Sequence, residues 1–174
     1  MTGLVESDAS VAAAWSRWAV KYGFDPAIVG DIVHGRRASD TVTLLIDPER
    51  HHPAQALADI DAYEVELAVT VTAIPGAIAL AGAIGQDRWA VVTSGNRILA
   101  TARLAAAGIP GVAVLVIADD VTEGKPHPEG YRSAAEQLGL PPDQPVVLED
   151  AAAGVLAAAG LLRGPGATHT GRRA

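Results

Sequence analysis

The chain has 174 residues, 49% of them hydrophobic, enough to bury one core domain and a small appendage. Its net charge of −7 and pI near 5.1 argue against nucleic acid or an anionic membrane surface as partner, because both reward clustered Lys and Arg. With no cysteine, a disulfide framework, a thiolate metal site and a Cys nucleophile are excluded, and a cytoplasmic location is expected.

The first residues, Met1 to Asp8, have no basic n-region and carry Glu6 and Asp8, so no secretory signal is expected. Val11, Ala14, Trp15, Trp18, Ala19 and Tyr22 then follow the spacing of an amphipathic helix that stops at Gly23, with both tryptophans in the core. Asp25-Pro26 offers an N-cap and a first-turn proline for a short helix towards His34. His34-Gly35-Arg36-Arg37 reads as a turn, Ser39-Asp40 as the start of a third helix, and Asp47 to Pro53 as a polar loop. Ala56, Leu57, Ile60, Tyr63, Glu64 and Leu67 trace a fourth helical face, with Glu64 an imperfection in it. Residues 9–72 therefore read as one compact helical module.

Residues 67–85 are uncharged over a membrane-spanning length, but Pro75-Gly76 breaks them and Ala, Gly and Thr dominate, which argues against a transmembrane helix. From Ile74 onward strands and helices alternate. Trp89–Val92 is a buried strand, Ile98 to Ala105 a helix closed by Gly108, and Val112–Ile117 a second strand. Tyr131–Leu138 is a helix closed by Gly139, and Val146–Leu148 a third strand. This order implies βαβ units and a parallel sheet over residues 73–162, with ligands at the carboxyl ends of its strands. Residues 163–174, which include Arg163, Arg172 and Arg173, read as a flexible tail too sparsely basic to alter the charge argument.

Three polar clusters stand at those strand ends. The turn Thr93-Ser94-Gly95-Asn96 joins a strand to a helix, so its hydroxyls and free amides suit a bound phosphate, although an ordinary N-cap explains it when read alone. Gly124-Lys125-Pro126 sets an ammonium between a flexible and a rigid residue, able to neutralise a phosphoryl oxygen and hold a carboxylate; read alone, it is a solvated lysine. Glu149-Asp150 ends an apolar strand, where adjacent carboxylates repel unless a cation is supplied, and Mg²⁺ meets that need. An acidic first helical turn is the plainer reading. The set is more specific than its members, since Lys125 follows Ser94 by 31 residues and Asp150 follows Lys125 by 25.

Val92-Thr93-Ser94-Gly95-Asn96, the stretch from Asp119-Asp120 through Gly124-Lys125-Pro126 to Pro128, and Glu149-Asp150-Ala151 with Gly154-Val155 together resemble the capped haloacid dehalogenase (HAD) superfamily phosphatases that act on small sugar and polyol phosphates. The resemblance covers residues 4–160. It implies a Rossmannoid three-layer α/β core with a parallel sheet and an inserted helical cap, and Mg²⁺-dependent hydrolysis through an aspartyl-phosphate intermediate. By resemblance Ser94, or less well Thr93, binds the phosphoryl group with the Gly95 amide and Asn96. Lys125 bridges it to the nucleophile, and Asp150 binds Mg²⁺ with Glu149 assisting. His34, Gly35 and Arg36 resemble the cap turn laid over the leaving group. The implied partner is a small phosphorylated metabolite, and the expected state is a monomer or weak homodimer.

Such enzymes open with an apolar strand ending Asp-x-Asp-Gly-Thr-Leu-Val-Asp-Ser, whose first Asp attacks phosphorus and whose second serves as acid and base. Met1-Thr2-Gly3-Leu4-Val5-Glu6-Ser7 resembles the interior of that motif, without either aspartate. Residues 1–8 are therefore expected to be a remnant of the motif, with the first, central strand missing and the chain inactive. The readings set against this are a non-catalytic remnant that binds phosphate or a partner protein and, less closely, a phosphomutase of the same architecture.

Overall fold

A computed structural model describes residues 3–161. Its first half is four helices: Asp8–Tyr22 (α1), Pro26–Val33 (α2), Ala38–Leu45 (α3) and Pro53–Leu67 (α4). The tail expected over 163–174 lies outside the described residues.

One apolar face organises these helices. On α1, Ala14, Trp15, Trp18 and Ala19 are buried, and the helix ends where Gly23 takes φ 77° and donates its amide back to the Val20 carbonyl. That left-handed conformation is open to glycine at little cost. Asp25 caps α2 by accepting from the Ala27 amide at 2.8 Å, with Pro26 in the first helical position. Trp18 is the anchor: it is fully buried, stacks on Phe24, meets Trp15 edge-on, and donates its indole N–H to the Ala56 carbonyl of α4 at 2.8 Å. Ile60 of α4 and Val29 of α2 complete the same cluster.

The chain enters and leaves this helical unit through a two-stranded antiparallel stem. Val5–Glu6 (β1) pairs with Thr72–Ala73 (β2), Val5 opposite Ala73. The span 67–85 is divided among a 3₁₀ turn at Ala68–Thr70, β2 and a helix Ala77–Ile84 (α5). Among the described residues no helix is long and apolar enough to cross a membrane.

The α/β half continues with Ala90–Val92 (β3), Arg97–Ala106 (α6), Val114–Val116 (β4), Glu129–Gln137 (α7) and Ala152–Leu161 (α8). β3 and β4 run parallel, Ala90 opposite Val114 and Val92 opposite Val116, with α6 as the crossover. Alternation along β3 builds three layers. Val91 packs towards Leu104 and Ile109 at the α6 side, whereas Ala90 and Val92 pack with Val114, Val116 and Ala134 of α7.

The expected third strand at Val146–Leu148 is a correction, because among the described residues this run carries no ladder. Backbone amides and carbonyls of a strand are satisfied by a neighbour, and among the described residues β3 is paired only with β4. Val146 and Leu148 are 88% and 61% exposed, and only Val147 packs, against Tyr131, Ala157 and Leu161.

Candidate functional site

A cleft of about 440 Å³ opens between the helical unit and the carboxyl ends of β3 and β4. A parallel sheet places ligands there, and the size suits a small metabolite. The Thr93–Asn96 turn forms its floor. Thr93 is buried; its amide donates to the Val116 carbonyl at 2.9 Å, and its Oγ1 accepts from the Gly95 amide at 3.1 Å. Asn96 caps α6, its Oδ1 accepting from the Leu99 amide at 2.9 Å. Ser94 stands between them and donates its hydroxyl to the Gly35 carbonyl of the opposite wall at 3.3 Å.

Lys125, 10% exposed at its side chain, follows from the loop after β4. Its ammonium donates to Glu149 Oε2 at 2.6 Å and to the Val92 carbonyl at 3.3 Å, so the ion is fixed at the end of β3. Tyr131 of α7 donates its hydroxyl to the same Oε2 at 2.7 Å, while Oε1 accepts the amides of Asp150 and Ala151. Four donors thus occupy the two oxygens of Glu149. Burial alone would raise this carboxyl, but Lys125 and Tyr131 outweigh burial and hold its pKa down to about 2. The tyrosine moves the opposite way: burial, then the Glu149 bond and charge, push its hydroxyl above the ordinary range. Asp150, one residue on, is exposed and lines the cleft.

The helical unit supplies the other wall. His34, Gly35 and Arg36, the turn between α2 and α3, line the cleft, as do Leu57, Asp61 and Glu64 of α4. Glu64 is buried and paired with buried Arg103 of α6 at 3.3 Å, which makes the break in the apolar face of α4 a tie across the cleft. Burial raises the Glu64 carboxyl more than Arg103 lowers it.

Sequence reasoning missed Tyr131, Arg37, Asp61 and Arg103. Arg37 donates to the carbonyls of Val121 and Thr122 at 3.1 and 3.2 Å, tying the cap turn to the loop that carries Lys125. A signal existed only for Asp61, which lies four residues after Leu57 and three before Glu64, on one side of a helix. A further group, Glu123, His127 and Glu129, gathers beside the same loop. The Glu129 carboxylate accepts the Thr122 and Glu123 amides at 2.8 and 2.9 Å, which lowers its pKa and pins the loop backbone.

Known proteins resemble this chain along most of its length. The family model of the haloacid dehalogenase-like hydrolases matches residues 8–161. Hexitol phosphatase A of Escherichia coli (strain K12) is 40% identical over 159 residues, spanning 88% of this chain and 72% of that protein. The validoxylamine A 7'-phosphate phosphatase of Streptomyces hygroscopicus subsp. limoneus is 36% identical over 165 residues, spanning 89% and 76%. Among solved structures, a hydrolase from Pseudomonas syringae superposes with a TM-score of 0.76 at 26% identity, covering 90% of this chain and 75% of that one.

Proposed function

The chain belongs to the haloacid dehalogenase-like hydrolases, and on that premise we propose that its cleft binds the phosphoryl group of a small sugar or polyol phosphate monoester, the substrate of a Mg²⁺-dependent phosphatase. The observation that carries the reading is the convergence of Ser94, Lys125 and Asp150 on one cleft, with Lys125 fixed by Glu149. The phosphatases among its relatives support the substrate class.

In this reading the Ser94 hydroxyl, with the amide end of α6 behind it, donates to the phosphoryl oxygens. Lys125 supplies a point charge whose place does not depend on the substrate. Glu149 assists by positioning Lys125, since four donors already fill its oxygens. Asp150 fits a hard divalent cation that takes one or two carboxylates, water and a substrate phosphate oxygen. Mg²⁺ held by Asp150 would spread the negative charge of the phosphoryl group. His34 and Arg36 face the leaving group from the cap turn.

The family's aspartyl-phosphate route asks for a carboxylate aimed at phosphorus. Of the carboxylates that line the cleft, Glu149 is fully engaged, Asp150 is assigned to the cation, Asp8, Asp61 and Glu64 reach it from the helices of the opposite wall, and Asp119 stands exposed in the 3₁₀ turn Ala118–Asp120 that follows β4. The chain therefore binds such esters and hydrolyses them at background rates, because losing one member of a nucleophilic set costs on the order of a million-fold. The test is calorimetric titration of inorganic phosphate and Mg²⁺ beside an assay on a panel of sugar and polyol phosphates. Phosphate binding lost in Lys125→Ala supports the site. Robust Mg²⁺-dependent hydrolysis that Asp150→Ala abolishes would overturn the proposed absence of turnover.

A further inference from the structure

The cleft has two chemically different ends. At one stand Ser94 and Lys125, assigned above to the phosphoryl group; at the other, α4 presents Leu57, Asp61 and Glu64 at positions i, i+4 and i+7, a single helical face. Of the two carboxylates on that face, Glu64 is neutralised by Arg103. That pair is buried on both sides and ties α4 to α6, so it fixes where the neighbouring turn of α4 stands over the floor of the cleft. Asp61 is half-buried on that turn and faces Asn96, the cap of α6, with exposed Asp119 also nearby. Burial raises the Asp61 pKa, the Asn96 bond lowers it, and the charge of Asp119 adds to the rise. Apolar Val11, Trp15 and Leu57 line the cleft with it, a surface suited to the carbon skeleton of a ligand.

A half-buried carboxylate with one amide partner retains acceptor capacity, and the groups that satisfy it without adding charge are hydroxyls. A second phosphate or a carboxylate of the ligand placed against Asp61 and Asp119, rather than against Arg36 of the cap turn, would meet like charge. Resting on the phosphate-ester reading above, we infer that Asp61 is a specificity-determining residue that accepts hydrogen bonds from the hydroxyls of a polyol phosphate monoester and excludes ligands with a second anionic group. The residue reads the uncharged end of the ligand; the Ser94 turn and Lys125 hold the charged end.

Binding tests this on the full 174-residue chain with Mg²⁺, independently of turnover. Inorganic phosphate, a hexitol 6-phosphate and a hexitol 1,6-bisphosphate are titrated calorimetrically into the wild type, Asp61→Ala and Asp61→Asn, with thermal unfolding as the control for folding. Hydrogen bonds to a charged group are worth a factor of about 10 to 100 in affinity. The wild type is expected to bind the hexitol monophosphate at least tenfold more tightly than phosphate and to prefer it to the bisphosphate. Asp61→Ala should erase the first advantage while changing phosphate affinity less than twofold; Asp61→Asn, which keeps shape and one acceptor, should chiefly relax the discrimination against bisphosphate. A wild type that binds phosphate and hexitol phosphate alike overturns the inference alone. So does an Asp61→Ala variant that weakens both equally, or one that leaves the preference intact. Failure of phosphate itself to bind, or binding indifferent to Lys125→Ala, overturns the phosphate-ester reading and this inference with it.

Discussion

The helical unit and the α/β half are built on different principles. Four helices share one cluster around Trp18, whereas the α/β half divides its apolar residues among three small clusters and is joined at its functional end by polar contacts. The Lys125–Glu149–Tyr131 group and the Arg37 bonds make up that polar framework. Packing holds the first half, and directed charges position the loops of the second. A substitution should therefore act through volume in one half and through charge and hydrogen bonding in the other.

The largest effect is expected at Trp18. Trp18→Ala removes a fully buried ring together with its bond to the Ala56 carbonyl, and should cost about 3–5 kcal/mol. Urea unfolding followed by far-ultraviolet circular dichroism measures it. A loss below about 1 kcal/mol would mean that the helical unit is not organised by this cluster.

Lys125→Ala probes the other half. It strips the cation from Glu149, whose side chain is 8% exposed, and breaking such a buried pair costs about 3 kcal/mol while abolishing phosphate binding. The pH dependence follows. The Glu149 pKa is near 2 in the folded chain against an ordinary 4.5, so its stabilisation, roughly 3 kcal/mol, is complete above the ordinary value. It fades as pH falls from 4.5 towards 2. In Lys125→Ala this acid-labile share should shrink in a stability-against-pH curve, because Tyr131 and the Ala151 amide are left to oppose burial. Tyr131→Phe removes the second donor to Oε2, and should cost about 1 kcal/mol and move the acid loss to higher pH.

The same contrast explains what could be read from the sequence. Helix faces are local, so the spacing from Val11 to Tyr22 and the signals at Gly23 and Asp25-Pro26 lie within a few residues of what they determine. Val146–Leu148 has the composition of a strand, but a ladder needs a partner that composition does not specify. At the cleft, Thr93 to Asn96, Lys125, Glu149 and Asp150 were legible because they stand in short motifs, and all of them line it, although among the described residues the run before Glu149 forms no strand. Arg37 was not, because its contacts are 84 and 85 residues away and involve only backbone carbonyls, which leave no mark on side-chain pattern. Tyr131 reads as an ordinary helical aromatic until α7 is packed beside Glu149. Arg103 lies on the buried face of α6, where a sequence reading expects apolar residues; its partner, Glu64, is 39 residues earlier on another helix.

The smallest expected effect, and the sharpest test of polar construction, is at Gly124. A Cβ there would lie 2.5 Å from Arg37 Nε and 3.1 Å from its Cζ. Gly124 is absent from the glycines with positive φ, so alanine brings no backbone strain, and the obstacle is the far end of a long side chain that can swing aside. The cost of Gly124→Ala is then the loss of the Arg37 bonds to Val121 and Thr122, about 1 kcal/mol, rather than an overpacked core. Arg37→Ala should cost the same, and the double variant no more than either single one, because both remove the same two bonds. Thermal unfolding of the four proteins gives the coupling, and amide exchange at residues 35–38 locates it. If Gly124→Ala costs as much without Arg37 as with it, the tie between the cap turn and the Lys125 loop is not what holds them together, and the α/β half relies on packing after all.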